Sequence, residues 1–161
     1  MIPNQLQPIQ NLLRKKREAG GLIAVLGIGS ELRGDDAAGV LVARRIRELG
    51  RPLLCGLEGC TAPENFTGEI KQLNPAVVVV VDAADLGLPP GTVREIAPEQ
   101  IGGMSFCTHT LPLSLIIDYL KQSLEAEFLV LGIQPATLEF HQEPSAAVAC
   151  AIEQVVECLA E

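Results

Sequence analysis

Aromatic side chains are scarce in this chain: four phenylalanines, one tyrosine and no tryptophan among 161 residues. Valine, isoleucine, leucine and alanine must therefore build the core. With 48% apolar and 20% charged residues, the profile suits one layered α/β domain rather than a disordered or fibrous chain. Positive charge is short as well. Twelve lysines and arginines stand against twenty aspartates and glutamates, a formal net charge of -8, which argues against a nucleic-acid surface. The one basic cluster, Arg14-Lys15-Lys16-Arg17, reads as a solvated helix face. Five cysteines occur, an odd number with no C-x-x-C pair, so a disulfide framework is not expected and a reducing cytoplasm is. The strongest apolar run, Val77 to Val81, is too short to span a bilayer. Residues 1–20 lack the apolar core of a signal peptide and read as an N-terminal extension to a single domain over 21–161. Repeats and low-complexity tracts are absent.

What is present is an alternation of strand and helix patterns. Leu22 to Ile28 reads as a buried strand, and residues 37–49 as a helix with Val42, Ile46 and Leu49 on one face and Arg44, Arg45 and Arg47 on the other. Leu53 to Leu57 is a second strand. Thr61-Ala62-Pro63-Glu64 resembles a capping box ahead of a helix carrying Phe66, Ile70 and Leu73. The valine run ending at Asp82 demands burial on both faces, hence a central strand. Thr92 to Ile96 is a short strand, placed at an edge. Leu113, Ile116, Ile117, Leu120 and Leu124 mark a helix, Phe128 to Ile133 a further strand, and Val148, Ile152, Val155, Val156 and Leu159 a last helix starting at Pro144. The expected fold class is an α/β sandwich on a mostly parallel sheet.

The segment Gly27-Ile28-Gly29-Ser30-Glu31-Leu32-Arg33-Gly34-Asp35-Asp36 joins the first strand to the first of these helices. A dinucleotide fingerprint needs a third glycine where Leu32 stands. A phosphate loop needs lysine and a hydroxyl residue where Asp35 and Asp36 stand. Two carboxylates would repel the phosphate that the loop amides attract, so both nucleotide readings fall and a cation or electropositive centre becomes the expected ligand. The plainer reading is that Asp35 caps the helix and Asp36 complements its dipole; both can hold together. Asp82 closes the valine strand, and open α/β sheets bind ligands outside the carboxyl ends of their strands. If the two strands are parallel neighbours, their carboxylates converge. The plain alternative for Asp82 is a strand-end turn cap, and Asp85 reads as a turn residue. His109, one of two histidines, lies between two threonines just before a helix; taken alone it is a loop histidine. His141 reads as structural. Two carboxylates and an imidazole on separate loops make an open metal-ligand set, weakly signalled by spacing alone. A Cys107–His109 nucleophilic pair is a lesser alternative. The other cysteines read as small core residues.

These stretches resemble the hydrogenase maturation proteases. Gly27 to Asp36 with Gly39 is similar to the family's N-terminal motif, and Val80-Val81-Asp82-Ala83-Ala84 to its second aspartate motif. Thr108-His109-Thr110-Leu111-Pro112-Leu113 is similar to its histidine motif, and Gly132-Ile133-Gln134-Pro135 to its late strand-turn signature. Thr61 to Asn65 and Asp85 to Leu88 most resemble the formate-hydrogenlyase (hydrogenase 3) branch. Ser30 and Ala37 depart from the usual asparagine and glycine. The resemblance implies a three-layer α/β/α sandwich with a five-stranded sheet in order 2-1-3-5-4, the fourth strand antiparallel. It implies an endopeptidase that trims the C-terminal extension from a [NiFe] hydrogenase large-subunit precursor after nickel insertion. Asp36, Asp82 and His109 would then be both catalytic and metal-contacting, the nickel being supplied by the precursor. Either aspartate serves as general base if the metal does not. A monomer without nucleic-acid or membrane partners is expected. A non-catalytic nickel chaperone and another metal-dependent amidohydrolase are the competing functions.

Overall fold

The computed structural model of the chain describes residues 1–103, 105–106 and 111–161. Five strands form the main sheet: β1 (Ile23–Ile28), β2 (Leu54–Cys60), β3 (Val77–Asp85), β4 (Val93–Glu95) and β5 (Glu127–Ile133). Their order is β2-β1-β3-β5-β4. All neighbours are parallel except β4, which runs antiparallel to β5. This is the five-stranded mixed sheet expected. A two-residue strand, Ser105–Phe106, adds an unforeseen antiparallel pairing to the tail of β3, with Ala84 opposite Phe106.

Among the described residues six helices cover the sheet: α1 (Gln7–Glu18), α2 (Ala38–Leu49), α3 (Thr67–Leu73), α4 (Pro98–Ile101), α5 (Leu113–Lys121) and α6 (Ala146–Ala160). Strand side chains alternate between faces, and the valine run shows what that implies. Val77, Val79 and Val81 join the core beneath α1, α2 and α6, whereas Val78 and Val80 join the core beneath α3, α4 and α5. Burial on both faces explains why this strand is uninterruptedly apolar. The α5 stripe of Leu113, Ile116, Ile117 and Leu120 is buried as its spacing requires, and so are Val148, Ile152, Val155 and Leu159 of α6.

Several local expectations are corrected. β3 does not stop at Asp82 but continues through Asp85, because pairing to β5 extends past Asp82 and the Ser105–Phe106 strand pairs with the last two residues. No capping box forms at Thr61. Ala62 occupies the cap position of a 3-10 turn over Pro63–Phe66 and makes no side-chain cap bond. Leu49 is 46% exposed, since α2 ends there at Gly50 in the left-handed region. Cys158 alone among the described cysteines is buried; Cys60 and Cys150 are exposed. The segment set apart as an extension contributes Leu6, Ile9 and Leu13 to the core against α6.

Candidate active site

Glycines bring the first loop into place. An ideal Cβ on Gly29, at φ +139°, would lie 1.8 Å from the Asp36 carbonyl oxygen, so only glycine lets the loop fold back on itself. The Ser30 amide donates to Asp36 Oδ2 at 3.1 Å, and the Gly29 amide donates to the Cys60 carbonyl at 2.9 Å. A 3-10 turn over Gly34–Ala37 then leads into α2. A Cβ on Gly39 would stand 2.1 Å from the Val81 carbonyl oxygen and 2.4 Å from that of Ile28. The first turn of α2 therefore rests directly on the backbones of β1 and β3, at the residue preceding Asp82.

Asp36 and Asp82 are both wholly buried. β1 and β3 are parallel neighbours, the condition under which the sequence brings the two carboxylates together. Asp82 shares the sheet face of Val78, Val80 and Ala84, the side covered by α5. Burial, reinforced by the negative charge of Asp36 and opposed by a backbone hydrogen bond from Ala83, pushes the Asp82 carboxyl well above the usual carboxylate range. The two carboxylates are thus electrostatically coupled, and burial beside the Asp36 charge favours the protonated form of Asp82.

The third residue singled out, His109, lies outside the described residues, as does Cys107. Among the described residues no group of three His, Cys, Asp or Glu side chains could hold a metal. Asp85 takes the turn role read for it: its Oδ1 accepts from the Gly87 amide at 3.2 Å.

Asp35 is not the cap of α2. Arg33 holds the cap position of the preceding turn, and no side-chain cap bond forms there. The Asp35 carboxylate, wholly buried, points instead at the link between β5 and α6. Oδ2 accepts from the Ala136 amide at 2.7 Å, the Thr137 amide at 3.1 Å and the Ser145 hydroxyl at 2.9 Å, while Oδ1 accepts from the Ser145 amide at 2.6 Å. A buried carboxylate needs such donors, and its own helix start offers fewer.

Gln134, to which the sequence attached no role beyond a family signature, makes the matching tie to the loop after β3. Its Oε1 accepts from the Leu86 amide at 2.6 Å and the Leu88 amide at 3.4 Å, and its Nε2 donates to Asp85 Oδ1 at 3.4 Å. The signal available was a lone amide between a buried strand and a proline. On the outer rim the His141 amide, at φ +62°, donates to the Leu32 carbonyl at 2.9 Å. Arg44 grips Glu31 with two bonds, at 2.7 and 2.8 Å.

The chain and its fold have known counterparts. Residues 42–161 match the family model of the hydrogenase maturation proteases, HycI. A putative hydrogenase maturation protease of Methanocaldococcus jannaschii is 37% identical over 137 residues, covering 80% of each chain. The hydrogenase 3 maturation protease of Escherichia coli K12 is 36% identical over 136 residues, covering 84% of this chain and 86% of that one. The crystal structure of the [NiFe] hydrogenase maturation protease HycI of Thermococcus kodakarensis superposes with a TM-score of 0.81 at 31% identity, covering 96% of this chain and all of that one. A shared fold, a family match over most of the chain and identity above one third place this protein in the hydrogenase maturation protease family, as a peptidase.

Proposed function

We propose that this peptidase removes the C-terminal extension of a [NiFe] hydrogenase large-subunit precursor once nickel has been inserted, with Asp36, Asp82 and His109 as its working residues. The observation that carries the reading is the pair of wholly buried, electrostatically coupled carboxylates, Asp36 on the turn after β1 and Asp82 on the neighbouring parallel β3. His109 is included on the histidine motif Thr108 to Leu113 of the sequence.

In this reading nickel arrives as part of the substrate, already held by the precursor. The two aspartates and the imidazole are the ligand types that suit such a cation, and engaging it would align the scissile peptide with the pair. Burial favours the protonated form of Asp82, which can then donate to the leaving amine while Asp36 accepts a proton from the attacking water. Precursor without nickel lacks the centre that the residues engage, which makes metal loading a checkpoint. We place the enzyme in the cytoplasm as a monomer. The described cysteines are free thiols, no described helix is long and apolar enough to cross a membrane, and helices cover both faces of the sheet.

The test incubates the protein with nickel-loaded and nickel-free precursor and follows release of the C-terminal fragment by mass spectrometry. Release from the loaded precursor alone is expected. Equal cleavage of both would remove the checkpoint.

A further inference from the structure

We infer that Asp35 is a positioning residue for the peptidase reaction, fixing the direction of Asp36 by locking its turn to the link between β5 and α6. The inference rests on the reading of Asp36 as a working residue. Asp35 does not face Asp82. All four donors to its carboxylate come from Ala136, Thr137 and Ser145, about a hundred residues further along the chain.

The lock acts on main chain as well as side chain. The Asp35 amide donates to the Thr137 carbonyl at 3.0 Å, so Asp35 and Thr137 exchange bonds in both directions. Gly34, at φ +55°, lies close enough that a Cβ there would stand 3.0 Å from the same carbonyl. Asp35 and Asp36 are consecutive in one four-residue 3-10 turn. With the backbone of Asp35 held from one side and the Asp36 carbonyl seated against Gly29 from the other, the Asp36 backbone has little freedom left. The side chain of Asp36 is then set by the Ser30 amide on a loop already referenced to the rest of the sheet.

Two acceptor oxygens are what make the lock specific. Both Asp35 oxygens accept, one from an amide and the other from two amides and a hydroxyl. An asparagine has one acceptor oxygen, so whichever way its amide is turned, an NH2 group meets a backbone N–H. Asp35→Asn therefore keeps the size of the side chain and breaks the lock. Ser145→Ala removes one donor and keeps the rest; Ser145→Thr keeps the hydroxyl.

The experiment measures kcat and KM for precursor cleavage by the parent protein, Asp35→Asn, Ser145→Ala and Ser145→Thr, each assayed well below its own Tm. Misplacement of a reacting group acts on kcat. The expected result is a fall in kcat of about 10- to 100-fold for Asp35→Asn. Ser145→Ala should show a smaller fall of the same kind and Ser145→Thr should restore the rate, with KM little changed throughout. A strut with no bearing on Asp36 would lower Tm and leave kcat of the folded variants at the parent value, and that result overturns the inference. Should Asp35→Asn fail to fold, the Ser145 pair decides by the same criterion. Absence of fragment release by the parent protein would defeat the proposed function and the inference with it. Release by the parent with unchanged variants defeats the inference alone.

Discussion

Asp82 lies at zero exposure with the charge of Asp36 beside it, and its carboxyl is held well above the usual carboxylate range. The sign of the consequence follows from proton counting. Its folded-state pKa exceeds its unfolded value, so between the two the native protein keeps a proton that the unfolded chain has released. Stability therefore falls as pH rises through that window, which opens near the unfolded carboxylate value of about 4. Asp82→Asn removes the effect. The variant is expected to be more stable than the parent at pH 7, by about 1.4 kcal/mol for each unit of upward shift, with the difference closing towards pH 4. Urea unfolding of both proteins across pH 4 to 8 checks this. Asp36 and Asp82, both found buried, drew notice in the sequence because a broken phosphate-loop pattern and a valine run ending in a charge are local signals. The task of Asp35 was not, because its partners, Ala136 to Ser145, are distant in the chain and no spacing rule connects them.

At the scale of elements, the strand-loop-helix unit from β1 to α2 depends on close backbone approach. Gly39→Ala would press a methyl group against two carbonyl oxygens that cannot yield independently. It should cost about 1–3 kcal/mol or more and reduce cleavage, as the start of α2 lifts from β3. Gly68 in α3 has nothing within 4 Å of its Cβ position. Gly68→Ala should stabilise by about 0.5–1 kcal/mol. Thermal unfolding of the two variants side by side separates a glycine required by packing from one that is not. Gln134→Ala leaves the Leu86 and Leu88 amides without their acceptor and is expected to cost about 1–3 kcal/mol. The helices with long apolar stripes, α5 and α6, were readable, as was β4, set off by Pro89-Pro90-Gly91. The capping box at Thr61 was misread because Pro63 starts a 3-10 turn capped by Ala62. The length of β3 was misread because pairing with β5 and with Ser105–Phe106, not residue type, carries it through Asp85.

Across the whole molecule, two cores flank one sheet, and the first of them includes α1. Leu6, Ile9 and Leu13 are 1%, 4% and 0% exposed against α6, and Arg17 donates to the Leu159 carbonyl at the end of that helix at 2.7 Å. Full burial of such side chains is worth about 1.5–3 kcal/mol each. Deleting residues 1–20 should therefore cost several kcal/mol, a large share of the roughly 5–15 kcal/mol that a domain possesses, and expose the α6 face. Denaturation of the shortened chain would read this directly. The sequence read as an N-terminal extension because its Gln, Asn and basic residues conceal a stripe of three buried aliphatics. The family and its layered fold were readable from four motifs in order along the chain. The central claim is that Asp36 and Asp82 together make this fold a peptidase. It is tested most directly by intact-mass measurement of nickel-loaded precursor after incubation with the parent protein, Asp36→Ala and Asp82→Ala. The account predicts a C-terminal fragment from the parent alone, with both variants folded. Full cleavage by either folded variant would contradict it.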